Sequence, residues 1–404
     1  MIPQVADGLR GKKITIGVTG SIAAYKAAEL VSLLARAEAE VNVVLTRAAK
    51  EFVTPLTFEV LAGRPAFCHL FGGPDRIPHI TLACNTNLLV IYPATAHFLA
   101  QAAWGLASDL LTTMLLAYRG PVLICPAMNS QMYLHPAVQE NLKRLESRGY
   151  IILPPEEGRL ACGEKGPGRL PPPGRVLEEI VRFFLPQDLK GLNFLVTAGP
   201  TWEPWDEVRV LTSRSSGKMG YAVARAARDR GARVTLISGP TGLLPPPGVE
   251  FVRVTTALEM KEAVEQHFEQ ADVLVMAAAV SDYRPRERVA GKIKKGPERL
   301  TLELERNPDI LEELGKKKGK RLLVGFAAEA GDVVDKARAK LEAKNLDLVV
   351  ANDITQEGAG FGSDTNIVTV LFADGRQVQL PRLDKLTCAH RLIDLVAKMV
   401  RKDD

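Results

Sequence analysis

LKGLNFLVTAGPT, residues 189–201, repeats the plan of LRGKKITIGVTGS, residues 9–21. Each copy has a charged Leu-x-Gly lead-in, a short apolar run rich in β-branched residues, and a glycine turn able to open a helix. An uninterrupted apolar run ending in a tight turn is the pattern of a strand buried on both faces of a parallel sheet. Such a unit begins a nucleotide-binding α/β domain, so a second beginning in mid-chain predicts two domains in tandem.

The 404 residues suffice for two domains with ample cores, and 46% apolar with 25% charged residues describes a globular chain rather than a disordered one. No apolar run approaches the roughly 18 residues of a membrane span, and MIPQVADGLRGKK has no apolar signal-peptide region, so the expected compartment is the cytoplasm. Cysteines 68, 84, 125, 162 and 388 are scattered, without a CxxC pair or Cys/His cluster, which excludes a disulfide framework and a structural zinc site. A net charge of +5 without a basic stripe interleaved with aromatics gives no nucleic-acid surface; small anionic ligands suit it better.

In the first half, Ser21 is a good N-cap for the helix IAAYKAAELVSLLARAEA, whose free N–H groups favour a phosphate. The turn is not GxGxxG, so a mononucleotide fits better than a dinucleotide. Strand VNVVLT follows, then LLVIYPATA, a helical FLAQAAWGLASDLLTTMLLAY, and a strand in PVLICPAMNSQMYLHP. Polar residues cluster at the strand ends, where ligands bind a parallel sheet. EEGRLACGEKGPGRLPPP reads as a mobile loop, and GRLPPPGRVLEEIVRFFLPQDLKG as the join between domains, near Leu185 to Lys190.

GSIAAYK (20–26), PATA (93–96), PAMNSQMY (126–133) and ACG (161–163), in this order, resemble the FMN-dependent cysteine decarboxylases, in particular the phosphopantothenoylcysteine decarboxylases of coenzyme A biosynthesis. The resemblance implies a flavodoxin-like FMN-binding flavoprotein domain over residues 1–185. It places the catalytic histidine at His79, the PxMN asparagine at Asn129 and the reducing-step cysteine at Cys162, with Gly20, Ser21, Thr46, Thr95 and Ser108 at flavin contacts. The residue types suit the chemistry. Losing CO2 from a cysteine carboxylate needs an electron sink, which flavin provides by oxidising the thiol side to a thioaldehyde. His79 serves as base or substrate orienter, Asn129 holds the carboxylate and amide, and Cys162 donates a proton when the enethiolate is reduced. PATAHFLA departs from the commoner family form at His97, read as a solvated histidine; His69, His135, His267 and His390 have no partners at metal-ligand spacing and are assigned nothing.

In the second half, SSGKMG fails as a phosphate loop of the Walker type because Thr212 and Met219 stand where Gly and Ser or Thr are needed. It remains a Ser/Gly turn opening an Ala-rich helix. VLVMAAAVSDYRP runs from a strand into small residues and Asp282; GKIKKG is basic; NIVTVLFADGRQVQL is a hairpin turning at Asp374-Gly375, set at a sheet edge or an interface. These stretches resemble the phosphopantothenate-cysteine ligases, which usually occur fused to the decarboxylase, over residues 186–404. The resemblance implies CTP as nucleotide, contacted by Ser216, Gly217 and Lys218, by Met276, Ala277, Ala278 and Asp282, by Pro308, Asp309, Ile310 and Leu311, and by Phe326, Lys340 and Lys344. Asp282 is the implied Mg2+ ligand, Lys292 stabilises the phosphate charge, and Arg209 and Ser213 complete the catalytic set, Ser213 standing where the family commonly has Asn. The implied substrates are 4'-phosphopantothenate and cysteine, and the implied assembly is a homo-oligomer, a dodecamer of decarboxylase trimers joined by ligase dimers.

The fold class expected is therefore α/β, two tandem Rossmann-like domains with mainly parallel sheets. Two other classes compete. A non-catalytic flavin-binding regulatory or assembly subunit has no chemical need for His79, Asn129 and Cys162 together. A two-lobed NAD-dependent oxidoreductase lacks GxGxxG in both opening turns.

Overall fold

In the computed structural model, which describes residues 8–71, 77–160, 163–294, 300–329, 331–353, 355–356, 358, 360 and 362–401, the apolar run after Gly11 is strand β1 (Lys13–Val18). The polypeptide divides into two compact units between Phe184 and Leu185. In the first, β1 is followed by a 3-10 turn, Ile22–Ala24, that runs into α1 (Tyr25–Arg36), then β2 (Glu40–Leu45), α2 (Pro55–Ala62), α3 (Pro78–Cys84), β3 (Leu88–Ala94) and α4 (Ala96–Trp104). Next come α5 (Leu110–Ala117), β4 (Val122–Pro126), α6 (Ser130–Leu134), α7 (Pro136–Ser147), β5 (Ile151–Ile152), the strands β6 (Glu156–Arg159) and β7 (Lys165–Arg169), and α8 (Pro173–Phe184).

The main sheet is parallel in the order β2-β1-β3-β4-β5. This is the flavodoxin-like order, with its switch point between β1 and β3. Every residue of β3 is buried because helices cover both faces. Leu30, Leu34, Phe58 and Ile180 pack on one side, and Leu99, Leu111 and Leu142 on the other.

Three local readings change. The helix expected through FLAQAAWGLASDLLTTMLLAY is two helices, because Gly105 takes φ 70° and ends α4 in a left-handed cap. Asp109 then opens α5 through a capping box with Thr112. Within the stretch read as a loop, Glu156–Arg159 and Lys165–Arg169 pair antiparallel as the hairpin β6–β7. The amphipathic helix expected within the join is α8, whose Val176, Leu177 and Ile180 complete the first core against α1. Each such side chain contributes about 1.5–3 kcal/mol.

The second unit contains β8 (Asn193–Ala198), β9 (Trp202–Pro204), β10 (Val210–Thr212), α9 (Lys218–Asp229), β11 (Arg233–Ser238), β12 (Glu250–Arg253), α10 (Ala257–Phe268), β13 (Val273–Met276) and β14 (Tyr283–Pro285). It continues through β15 (Leu304–Arg306), α11 (Ile310–Gly315), β16 (Leu322–Glu329), α12 (Val333–Ala343), β17 (Leu348–Asp353), β18 (Thr365–Phe372), β19 (Gln377–Asp384) and α13 (Lys385–Val400). The sheet order is β12-β11-β8-β13-β16-β17-β18-β19. The strands from β12 to β17 are parallel, in the Rossmann order that reverses between β8 and β13. The expected hairpin adds β18 and β19 antiparallel at the edge, turning at Gly375 with φ 86°.

Helix α13 buries His390, whose Nδ1 has no hydrogen-bond partner among the described residues. Burial pushes its pKa down to about 4; Asp229 opposes the shift and Arg225 adds to it. An unfolded chain binds this proton near pH 6.5 and the folded one only near 4, so stability falls as pH drops through that window. By pH 4.5 the cost is about 2–3 kcal/mol. Replacing His390 by Gln, which does not titrate, is expected to remove most of the difference between denaturant unfolding at pH 7 and at pH 4.5.

Candidate active sites of the two units

At the switch point of the first sheet, the ends of β1 and β3 are tied by one buried hydroxyl. Thr19 Oγ1 donates to the Pro93 carbonyl at 2.8 Å and accepts the Thr95 N–H at 3.0 Å. Ser21 Oγ accepts from Ala23 N at 3.3 Å, starting the helical turn that leads into α1, and Thr95 Oγ1 accepts from Phe98 N at 3.3 Å, starting α4. Two helix starts thus meet at the carboxyl edge with further N–H groups unspent, a favourable setting for a phosphate. Thr46 Oγ1 accepts from Ala49 N at 3.3 Å beyond β2. A Cβ on Gly20 would collide with the Cβ of Ala48, so glycine lets the β1 and β2 loops close on each other. Gly20, Ser21, Thr46 and Thr95 therefore share one edge and fit a flavin phosphate. Ser108 lies between α4 and α5, accepting from Gln101 Nε2, and His97 is exposed on α4.

His79 is the second residue of α3, half-buried, with Nδ1 enclosed and without a partner among the described residues. Asn129 follows β4 and caps α6, its Oδ1 accepting from Gln131 N at 2.8 Å. That bond fixes the amide so that Nδ2 faces outward, where it donates to Glu164 Oε2 at 2.8 Å. Asn129 Nδ2 thus already donates to a carboxylate, and Oδ1 keeps a second lone pair beside its capping bond. Glu164 belongs to the β6–β7 hairpin, which packs tightly on this loop: Gly168 takes φ 131°, and a Cβ there would strike the Met128 carbonyl. Cys162, between β6 and β7 in sequence, lies outside the described residues.

In the second unit a cleft of about 480 Å³ opens at the carboxyl ends of β13, β16 and β17 and at the start of α9. Its size suits a nucleotide-sized ligand. Ser216, Gly217 and Lys218 line it at the start of α9; Met276, Ala277, Ala278 and Asp282 beyond β13; and Pro308, Asp309, Ile310 and Leu311 at the start of α11. Phe326 lines it from β16, Lys340 from α12, and Lys344 from just beyond that helix. Lys344 Nζ pairs with Asp309 Oδ2 at 2.6 Å, and Lys340 Nζ donates to the Phe326 carbonyl at 3.0 Å. Burial, then the neighbouring Lys344, lowers the Lys340 pKa. Burial works against the Asp309 carboxylate, but its hydrogen bond from Lys344 holds it below the ordinary range.

At another part of the lining, Lys218 Nζ pairs with Asp364 Oδ1 at 2.5 Å, and Asn366 and Lys385 contribute from β18 and the start of α13 respectively. Asn366 and Lys385 carry no local motif and are brought in only by the edge hairpin. Arg209, Ser213 and Lys292 do not line the cleft. Ser213 Oγ donates to the Ala279 carbonyl at 3.4 Å, and Arg209 pairs with Asp206 at 2.6 Å. Among the described residues no group of three or more His, Cys, Asp or Glu forms a metal cage. Three carboxylates, Asp282, Asp309 and Glu329, line the cleft; Asp309 is paired with Lys344, and Asp282 suits a Mg2+ held chiefly by phosphates and water.

These features define an α/β flavoprotein half joined to a nucleotide-cleft half. The Flavoprotein family model matches residues 4–185, and that of the DNA/pantothenate metabolism flavoprotein C-terminal domain matches residues 189–400. The chain is 45% identical over 400 residues to the coenzyme A biosynthesis bifunctional protein CoaBC of Bacillus subtilis (strain 168), covering 98% of each chain. It is 45% identical over 393 residues to the protein of that name from Escherichia coli (strain K12), covering 96% of this chain and 97% of the other. A crystal structure of the C-terminal domain of a protein of that name aligns at 44% identity and TM-score 0.47, over 54% of this chain and 100% of that one. The chain belongs to the CoaBC family of bifunctional coenzyme A biosynthesis enzymes. It is a flavoprotein with a decarboxylase and a ligase activity. No described helix is long and apolar enough to cross a membrane.

Proposed function

We propose that residues 186–404 join cysteine to 4'-phosphopantothenate at the expense of CTP, and that residues 1–185, with FMN, decarboxylate the product to 4'-phosphopantetheine in the cytoplasm. The observation that carries the ligase assignment is the meeting of Lys218, Lys340 and Lys344 with Asp282 and Phe326 in one cleft at a sheet's switch point. Three ammonium groups, Lys218 at the start of α9 and Lys340 and Lys344 at the end of α12, neutralise a triphosphate, Asp282 takes its Mg2+, and Phe326 offers a flat face to the base. The phosphopantothenate carboxylate attacks the α-phosphorus and pyrophosphate leaves, giving an acyl-cytidylate. The cysteine amine then attacks the acyl carbon and CMP leaves. The family resemblance gives Lys292 and Arg209 the charge on the phosphate and Ser213 the acyl-nucleotide, although none of the three is on the cleft lining.

In the first half, bound FMN supplies two-electron redox chemistry at the thiol side of the substrate. Asn129 Nδ2 holds the substrate carboxylate in the direction its capping bond dictates, His79 takes or orients a proton, and Cys162 returns one after CO2 has left. We propose the same homo-oligomer as the resemblance implies, decarboxylase trimers joined by ligase dimers, which native mass spectrometry would read directly.

The test is product analysis by mass spectrometry after incubating purified protein with 4'-phosphopantothenate, cysteine, Mg2+ and either CTP or ATP. The expected products with CTP are CMP, pyrophosphate, CO2 and 4'-phosphopantetheine. Acyl-cytidylate accumulating without amide would show that Ser213 does not replace the commoner Asn, and turnover with ATP alone would reject CTP.

A further inference from the structure

Asp206, in the stretch TWEPWDEVRV, looks like an ordinary surface acid, yet its side chain is fully buried and surrounded by donors. Its Oδ1 accepts the N–H groups of Val208 at 2.8 Å and Arg209 at 2.7 Å. Its Oδ2 accepts Arg209 Nη1 at 2.6 Å and the Ile293 N–H at 3.1 Å. The first two bonds close the turn that carries Arg209. The last crosses to the segment that carries Lys292, one residue before Ile293. Arg209 Nη1 also reaches the Ile293 carbonyl at 3.4 Å, and Val289 N donates to the Trp205 carbonyl at 3.0 Å. One carboxylate is thus the common acceptor of two loops that are far apart in sequence.

We propose that Asp206 is a positioning residue of the ligase reaction, holding Arg209 and the backbone at Lys292 in one fixed arrangement. The proposal rests on the assignment of Arg209 and Lys292 to the ligase chemistry made above. The residue type is determined by the donors. Four N–H groups converge on two oxygens, and an asparagine in the same place would turn an NH2 group toward two of them. Burial works against ionisation, but the bonds from Val208, Arg209 and Ile293, with the Arg209 charge, hold the pKa down to about 2. The acceptor therefore stays charged at any working pH, and charge-assisted bonds are the stronger kind.

The test is a double-mutant cycle on the ligase rate of the full chain, with Asp206→Asn, Lys292→Ala and the two combined. A displaced catalytic cation costs on the order of 10²-fold. Asp206→Asn should lower ligase kcat by about 30- to 100-fold with nucleotide KM within about threefold, while decarboxylation of supplied phosphopantothenoylcysteine stays at the wild-type rate. On the Lys292→Ala background the same change should cost less than about threefold, because residues acting as a unit are not additive. Additive losses would mean that Asp206 acts only on stability and would overturn the proposal, as would an Asp206→Asn rate within twofold of wild type. Should Asp206→Asn fail to bind nucleotide at all, Asp206→Glu, which keeps the charge, decides by the same criterion of additivity. If Lys292→Ala alone leaves ligation unchanged, the assignment of Lys292 fails, and the proposal with it; if it is impaired while Asp206→Asn is not, only the proposal fails.

Discussion

Replacing His79 by alanine is expected to lower decarboxylation about 10²- to 10⁴-fold and leave ligation at the wild-type rate, so that phosphopantothenoylcysteine accumulates. His79 sits at the start of α3 with an enclosed Nδ1 that no group among the described residues satisfies. A buried nitrogen without a partner costs stability unless a ligand or water completes it, and an arriving substrate is one such partner. Pro78 fixes the first turn of α3, and α3 packs against α5, which keeps the ring's backbone in place. Two variants separate the roles open to the side chain. His79→Gln keeps a hydrogen-bonding group but cannot pass a proton near neutral pH. Substantial rescue by Gln would show an orienting role, none would show proton transfer, and full activity in His79→Ala would remove the residue from the reaction.

Replacing Lys340 by methionine should raise the ligase KM for nucleotide about 10- to 100-fold, the value of one or two hydrogen bonds from a charged donor. Methionine keeps much of the stem that packs beneath the cleft, so the loss reports the charge rather than the packing. The pH dependence adds a second handle. Burial, together with Lys344, has lowered the Lys340 pKa below that of an ordinary lysine. The cation is present below that lowered value and is lost as pH rises through it, so nucleotide affinity should begin to weaken at a less alkaline pH than a free lysine would allow. Lys340→Arg, charged throughout, should bind nucleotide with a flatter alkaline profile. A wild-type profile that is flat to pH 10 would place Lys340 away from the phosphates.

What could be read from the sequence was whatever depended on neighbours along the chain. Both opening strands, the Ser21 cap and the Asp374-Gly375 hairpin follow from local patterns of apolar, turn and capping residues. The break at Gly105 was missed because an isolated glycine in an apolar helical run is usually tolerated, and only the adjacent Asp109 box turns it into an end. The β6–β7 hairpin was missed because glycine and proline in EEGRLACGEKGPGRLPPP dominate its composition and hide the ladder that Glu156–Arg159 forms with Lys165–Arg169. Lys385 and Asn366 reach the nucleotide cleft only through sheet topology. Asp206 is the sharpest case: nothing in WDEVRV distinguishes an acid gripped by Ile293, 87 residues away, from one facing water. Thr19 could have been found, since it precedes the Gly20 turn in the same motif.

The edge hairpin that delivers Asn366 and Lys385 also sets a timetable for the chain as it is synthesised. The flavodoxin-like sheet has its last strand by Ile152 and its hairpin by Arg169. The nucleotide cleft lacks a wall until Lys385 has been made. At about 5–20 residues per second, the interval between these two points is on the order of 10–40 s. A nascent chain can therefore take up its flavin well before it can hold a nucleotide. A ribosome stalled near residue 350 would carry a yellow protein with an unfinished ligase.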